Sequence, residues 1–172
     1  VHYPDPTDAA GMVRTTAKYR PTLLYITPSF LRYMLSVAEP GQLDSLRLVS
    51  TGAEKCPERV FEQCAEKIPH AEILEGYGIT ECSPVVSVNR PGRAKQGTIG
   101  QPLDVVDVCV VDPETNRPQP PGETGMLLVR GPTIFGGYLN YDGPDPFVEV
   151  DGHRWYRTGD LVRIDEEGYI HF

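Results

Sequence analysis

Basic charge is what this chain is short of. Sixteen Lys and Arg stand against 24 Asp and Glu, for a net charge of -8. A nucleic-acid partner is therefore not expected, because phosphate backbones are held by basic faces. Long apolar runs are also missing. No stretch approaches the roughly 20 apolar residues that a membrane-spanning helix needs. The opening Val1-His2-Tyr3-Pro4-Asp5-Pro6 has no basic-then-apolar leader pattern. Cysteine is scarce, and Cys56, Cys64, Cys82 and Cys109 show no CxxC spacing. Cys56 and Cys64 are too far apart along an expected helix for an easy disulfide within it. We read all four as reduced, partly buried thiols and the chain as cytoplasmic. His2, His70, His153 and His171 do not cluster and lack metal-ligand spacing. Ser83, which precedes Pro84, has no nucleophile-elbow setting.

Turn formers, by contrast, are plentiful: 17 prolines and 17 glycines in 172 residues imply short elements and many turns. That length allows one domain or two small subdomains with a real core. The sequence starts in a proline-rich extended stretch and stops inside the alternating pattern Gly168-Tyr169-Ile170-His171-Phe172. We read it as a piece of a longer protein, since an unfinished strand leaves backbone groups unpaired.

The fold class expected is α/β: a parallel α/β piece over residues 1–93, then an antiparallel, β-barrel-like subdomain over residues 94–172. Asp8 can cap a helix to about Lys18, with Ala9, Met12, Val13 and Thr16 inward. Thr22 to Ile26 reads as a buried strand. Pro28 suits the first turn of a helix carrying Phe30, Leu31, Met34, Leu35 and Ala38 at helical spacing. Leu46 to Ser50 is a second buried strand. Pro57 opens a helix with Val60, Phe61, Cys64 and Ile68 inward, and Glu72 to Leu74 is a third strand. Helix and strand in alternation imply right-handed crossovers and a parallel sheet, with ligands beyond the carboxyl ends of the strands. The Gly52 and Tyr77 loops would both lie there.

From about Arg93 no helical period persists. Val105 to Val111, Gly125 to Arg130, Arg154 to Tyr156, Asp160 to Ile164 and Gly168 to Phe172 read as strands. Asp112 to Asn116, Pro120 to Glu123 and Asp165 to Gly168 read as turns. Trp155 and Tyr156 read as barrel core.

Two short strings carry ligand chemistry. Tyr77-Gly78-Ile79-Thr80-Glu81 places an aromatic face, a hydroxyl and a carboxylate within five positions. Tyrosine offers a face on which a base can stack. Glycine lets the backbone approach a ligand. Threonine can donate to a phosphate oxygen, and glutamate can hold Mg²⁺, a hard cation. Tyr156-Arg157-Thr158-Gly159-Asp160-Leu161 places a carboxylate after a glycine, between two expected strands. Ser50-Thr51-Gly52-Ala53-Glu54-Lys55 lies upstream. Gly122 to Gly131 and Gly136-Gly137-Tyr138-Leu139 lie between, and these last two read as structural.

In this order the strings resemble the adenylate-forming enzymes: acyl-CoA synthetases, luciferases and peptide-synthetase adenylation domains. The resemblance covers essentially the whole chain. Val49 to Lys55, Glu75 to Gly78 and Glu81 to Ser87 look most like long-chain acyl synthetases, including the bacterial acyl-[acyl-carrier-protein] type. It implies a part of an ATP-dependent enzyme that joins a carboxylate to AMP and passes the acyl group to a thiol. ATP (leaving AMP) and Mg²⁺ would be the cofactors. A fatty acid or other carboxylic acid would be the substrate, and coenzyme A or acyl carrier protein the acceptor. The full-length protein could be membrane-peripheral. Carried over by position, Gly52, Ala53 and Glu54 would line one face of the adenine, and Tyr77 and Gly78 the other. Thr80 would bond the α-phosphate and Glu81 the metal, as the two catalytic residues, and Asp160 would bond both ribose hydroxyls. Thr22 to Leu35 looks like the wall of an acyl pocket. Two family features find no match within these residues: a glycine-, serine- and threonine-rich phosphate loop ending near a lysine, and the C-terminal domain with its catalytic lysine. An amino-acid or aryl-acid adenylating enzyme is a rival reading. A non-catalytic β-rich interaction module is another.

Overall fold

The computed structural model describes residues 1–172. They gather into two compact units, one of Val1–Gly76 with Arg90–Ala94, the other of Tyr77–Asn89 with Lys95–Phe172.

The first unit alternates helix and strand: α1 (Ala9–Tyr19), β1 (Leu23–Ile26), α2 (Pro28–Val37), β2 (Leu48–Thr51), α3 (Glu58–Lys67), then the start of β3 (Glu72–Gly78). The local reasons are visible. Asp8 caps α1 through Oδ1, which accepts from the Gly11 N–H at 2.8 Å. Pro28 occupies the first turn of α2, where its missing N–H costs nothing. β1, β2 and β3 pair in parallel, Leu23 opposite Leu48 and Leu48 opposite Glu72. A core of Val13, Leu31, Met34, Leu35, Leu46, Val49, Val60 and Ile68 joins the three helices to this sheet.

One expectation fails here. Thr22 to Ile26 is not a buried strand. Leu24 and Ile26 pack on the core, but Leu23 and Tyr25 stay 42% and 76% exposed. Strand side chains alternate between faces, and the helices of this unit cover one face only. β3 is also longer than expected. It continues through Tyr77 and Gly78, where a loop was expected.

The second unit is a curled, antiparallel half-barrel. After a 3-10 turn (Thr80–Cys82) come β4 (Val85–Val88), β5 (Gln101–Pro102), β6 (Asp107–Val111), β7 (Gly125–Arg130), β8 (Phe147–Val150), β9 (His153–Ile164) and β10 (Ile170–His171). The order is β10-β9-β7-β6, with β8 on β9, and β4 pairs with β5. Val86, Val106, Leu127, Val129, Tyr156, Val162 and Ile170 form its main core. Trp155 packs with Val111, Leu128 and Val150. Trp155 and Tyr156 are thus core, as expected. The two strands expected around Thr158-Gly159 are a single strand, β9. The ladder with β7 absorbs the interruption by a register shift between Met126 and Leu128.

Candidate functional site

The Tyr77–Glu81 string sits where β3 turns into the 3-10 helix. Gly78 is required there, because a Cβ would stand 2.1 Å from the Pro84 carbonyl oxygen. The Ile79 N–H donates to that same oxygen at 2.8 Å. The turn closes through Cys82 N–H to the Ile79 carbonyl at 3.0 Å and Ser83 N–H to the Thr80 carbonyl at 3.2 Å. Cys82 is fully buried and anchors it. Burial, then the neighbouring Glu81 charge, pushes its thiol up to about 11. Thr80 is exposed and Glu81 half-buried, so the turn presents both outward.

Two phenols tie this string to β9. The Tyr77 hydroxyl donates to Asp160 Oδ2, across 83 residues of sequence. Burial first, and then this bond, holds the Tyr77 phenol far above its ordinary value, so it is a neutral donor. Asp160 is fixed by its backbone as well. Its N–H donates to Thr158 Oγ1 at 3.1 Å, and Thr158 Oγ1 donates to the Leu127 carbonyl on β7 at 2.9 Å. The second tie runs from Glu81. The Tyr138 hydroxyl donates to Glu81 Oε1 at 2.7 Å and lies 3.4 Å from the Tyr156 hydroxyl on β9. The Phe135 N–H donates to the Glu81 carbonyl at 2.8 Å. The Phe135 ring meets those of Tyr138 and Tyr156 edge-on, with centroids 4.8 and 5.2 Å away.

The Gly52–Glu54 turn belongs to the first unit. A Cβ on Gly52 would come within 2.7 Å of the Gly76 carbonyl oxygen, so glycine lets β2 and β3 close up. Ala53 is held at φ 67°, a left-handed conformation unusual for a residue with a side chain. The Glu54 carboxylate accepts from Ser29 N–H at 3.0 Å and Ser29 Oγ at 2.8 Å, which caps α2 from outside and holds Glu54 below the usual carboxylate range. In the same unit Met12, Leu24, Ile26, Phe30 and Met34 help line a cavity of about 590 Å³ that takes in much of the stretch Thr22 to Leu35. No Asp, Glu, Lys or Arg lines it.

Within the second unit, then, Tyr77 and Asp160 touch directly, and Thr80 and Glu81 share one turn. Tyr138, Thr158 and Ser29 were not singled out as site residues from the sequence. Tyr138 lay in a string read as structural. Its partner is 57 residues away, so no local signal could have marked it. His171 Nε2 sits 2.9 Å from Asp165 Oδ2 within a β-turn cluster, not at a metal centre.

No three His, Cys, Asp or Glu side chains gather into a metal site. Glu81 offers one carboxylate, which fits Mg²⁺ of the kind that keeps waters and takes its remaining ligands from phosphates. No helix is long and apolar enough to cross a membrane.

Comparison with known proteins gives a consistent answer. The AMP-binding enzyme family matches residues 1–139. A long-chain-fatty-acid–CoA ligase of Escherichia coli O6:H1 is 36% identical over 169 residues, which cover 96% of this chain and 29% of that ligase. Among solved structures, a long-chain-fatty-acid-CoA ligase from Archaeoglobus fulgidus superposes with a TM-score of 0.88 at 29% identity, over 96% of this chain and 36% of that one. ATP-bound MatB from Rhodopseudomonas palustris superposes with a TM-score of 0.80 at 31% identity, over 98% of this chain and 32% of that one. The chain thus spans 29%, 36% and 32% of these three proteins.

Proposed function

Because the chain belongs to the AMP-binding enzyme family, we propose that it supplies nucleotide-handling residues and part of the acyl pocket to an ATP-dependent fatty-acid ligase. The observation that carries this reading is the Tyr77–Asp160 bond, which joins the two strings that suggested a nucleotide site.

The proposed reaction has two steps. The carboxylate oxygen of the acid attacks the α-phosphorus of ATP, and pyrophosphate leaves with the electron pair of the broken P–O bond. A thiol then attacks the acyl carbon of the mixed anhydride, loses its proton, and AMP leaves. Coenzyme A as that thiol is supported by the names of the relatives. In the first step the protein's task is to position reactants and offset phosphate charge. Thr80, exposed on its turn, donates to an α-phosphate oxygen. Asp160 accepts from the ribose hydroxyls. Tyr77 gives the adenine a face. Glu81 holds Mg²⁺, which when bound neutralises phosphate charge. The ATP-bound structural relative supports ATP as the nucleotide.

A fatty acid is favoured over an amino acid by the cavity in the first unit, which is lined mainly by apolar side chains, with His2, Tyr3 and threonines among them, and offers no carboxylate to pair with an α-ammonium. The test is Asp160→Ala in the full-length protein. Losing two charged hydrogen bonds should weaken ATP use by roughly 2–4 kcal/mol while the protein stays folded. Unchanged ATP kinetics in a folded variant would remove the ribose assignment and, with it, the reading.

A further inference from the structure

We propose that Tyr138 is a positioning residue that favours ligation through one oxygen of Glu81 and so biases the site toward Mg²⁺ over larger cations. This rests on the reading of Glu81 as the metal-facing carboxylate. The segment around Phe135 grips Glu81 twice, through the Phe135 N–H on its carbonyl and the Tyr138 hydroxyl on Oε1. Tyr138 is 44% exposed, and a hydrogen bond at that exposure adds little. The aromatic bracket, however, fixes the phenol firmly. Phe135 packs edge-on against it at 4.8 Å, Tyr141 lies 5.2 Å away on centroids, and the buried Tyr156 stands behind.

The chemical consequence follows from which oxygen is used. With Oε1 already accepting from a phenol, Oε2 is the less engaged oxygen and the one more open to a cation. Ca²⁺ readily takes both oxygens of one carboxylate in a flexible shell. Mg²⁺ demands near-octahedral geometry and is content with one. A phenol fits this role because it donates without neutralising the carboxylate, as a Lys or Arg would.

The test uses the full-length protein and calorimetric titration with ATP in the presence of Mg²⁺ or Ca²⁺, and with AMP in the absence of metal. Tyr138→Phe keeps the ring and removes the hydroxyl. It should weaken Mg²⁺-supported ATP binding by about two- to fivefold, the scale of an exposed hydrogen bond to a charged group. It should weaken Ca²⁺-supported binding less, so that the Mg²⁺/Ca²⁺ ratio shrinks, and leave AMP binding unchanged. In a Glu81→Gln background the same substitution should add nothing. A simple packing defect would instead lower all three affinities together, and that outcome overturns the proposal. An unchanged Mg²⁺/Ca²⁺ ratio in Tyr138→Phe, while Glu81→Gln weakens metal-supported binding, overturns the Tyr138 role alone. If Glu81→Gln leaves metal-supported binding intact, the assignment of Glu81 fails and the proposal falls with it.

Discussion

Tyr77→Phe isolates one hydroxyl. The ring stays, so any base stacking stays; only the bond to Asp160 Oδ2 is lost. A hydrogen bond to a charged acceptor is worth about 1.5–3 kcal/mol. Asp160 is only half-buried, so the lower part of that range applies, and we expect about 1–2 kcal/mol, or roughly five- to thirtyfold in ATP affinity. A second signature is more specific. If Tyr77 orients the carboxylate that reads the ribose, freeing that carboxylate should reduce discrimination between ATP and 2′-deoxy-ATP. Tyr77→Ala should lose more affinity, by about 1–3 kcal/mol of stacking, with no further loss of discrimination. The phenol is held above its ordinary value by burial and then by Asp160, so it stays protonated and the penalty should be flat near neutrality. The sign of the stability term follows. A raised value adds stability that is present below about pH 10 and is lost as pH climbs through the folded value. Wild type should therefore lose stability in alkali, and Tyr77→Phe should lack this part of the loss. The assay is titration of each nucleotide into full-length protein. Wild-type affinity together with wild-type ribose discrimination in Tyr77→Phe would refute the reasoning.

Two further outcomes follow from protonation and burial. Burial drives Cys56 and Cys64 up to about 12 and Cys82 to about 11, so native protein treated with iodoacetamide at mildly alkaline pH should leave all three unmodified by peptide mass spectrometry, with reaction only in urea; rapid alkylation of Cys82 would show that the 3-10 turn opens. Asp165 is pushed up by burial but pulled further down by His171, Lys95 and the Tyr169 N–H, so its stabilisation is present above the ordinary 3.8 and is lost as pH falls toward its depressed value. Asp165→Asn should cost about 1 kcal/mol at neutral pH, discounted for exposed partners, and the gap in melting temperature should narrow on acidification; a gap that widens would reverse the assigned direction.

Local elements were legible where one residue decides them. Asp8 before an amphipathic run, Pro28 ahead of one, and Asp112 at a turn, accepting from Thr115 N–H at 2.7 Å, each announce themselves. Elements made by pairing were not. β5 is two residues long, and β8 exists because Phe147 to Val150 face Tyr156 to His153. Thr158-Gly159 reads as a break between two strands, yet Thr158 bonds Leu127 and keeps the strand in the ladder. The same split runs through the site. The types Tyr, Thr, Glu and Asp could be picked out from spacing and resemblance. That Tyr77 belongs with Asp160, and Glu81 with Tyr138, depends on contacts 83 and 57 residues apart. Spacing within a string carries no trace of them.

These partnerships also explain why both positioning groups are tyrosines. On the proposed reading, Asp160 would accept from hydroxyls and Glu81 would attract a cation, and both tasks call for a carboxylate whose charge is not offset by a partner. An Arg or Lys in place of Tyr77 or Tyr138 would hold the carboxylate as firmly but would offset that charge at the place where it is needed. Ser or Thr would leave the charge but is too short to span from the packed aromatic cluster. Tyrosine is rigid, with two side-chain torsions, and carries a neutral donor at the end of a ring that can be clamped by its neighbours. The edge-on contact of Phe135 with Tyr138 supplies that clamp on one side, and the burial of Tyr77 supplies it on the other. On the proposed reading, each carboxylate is thereby held by a neutral donor in one orientation, the preorganisation that stabilising a phosphate-transfer transition state would call for.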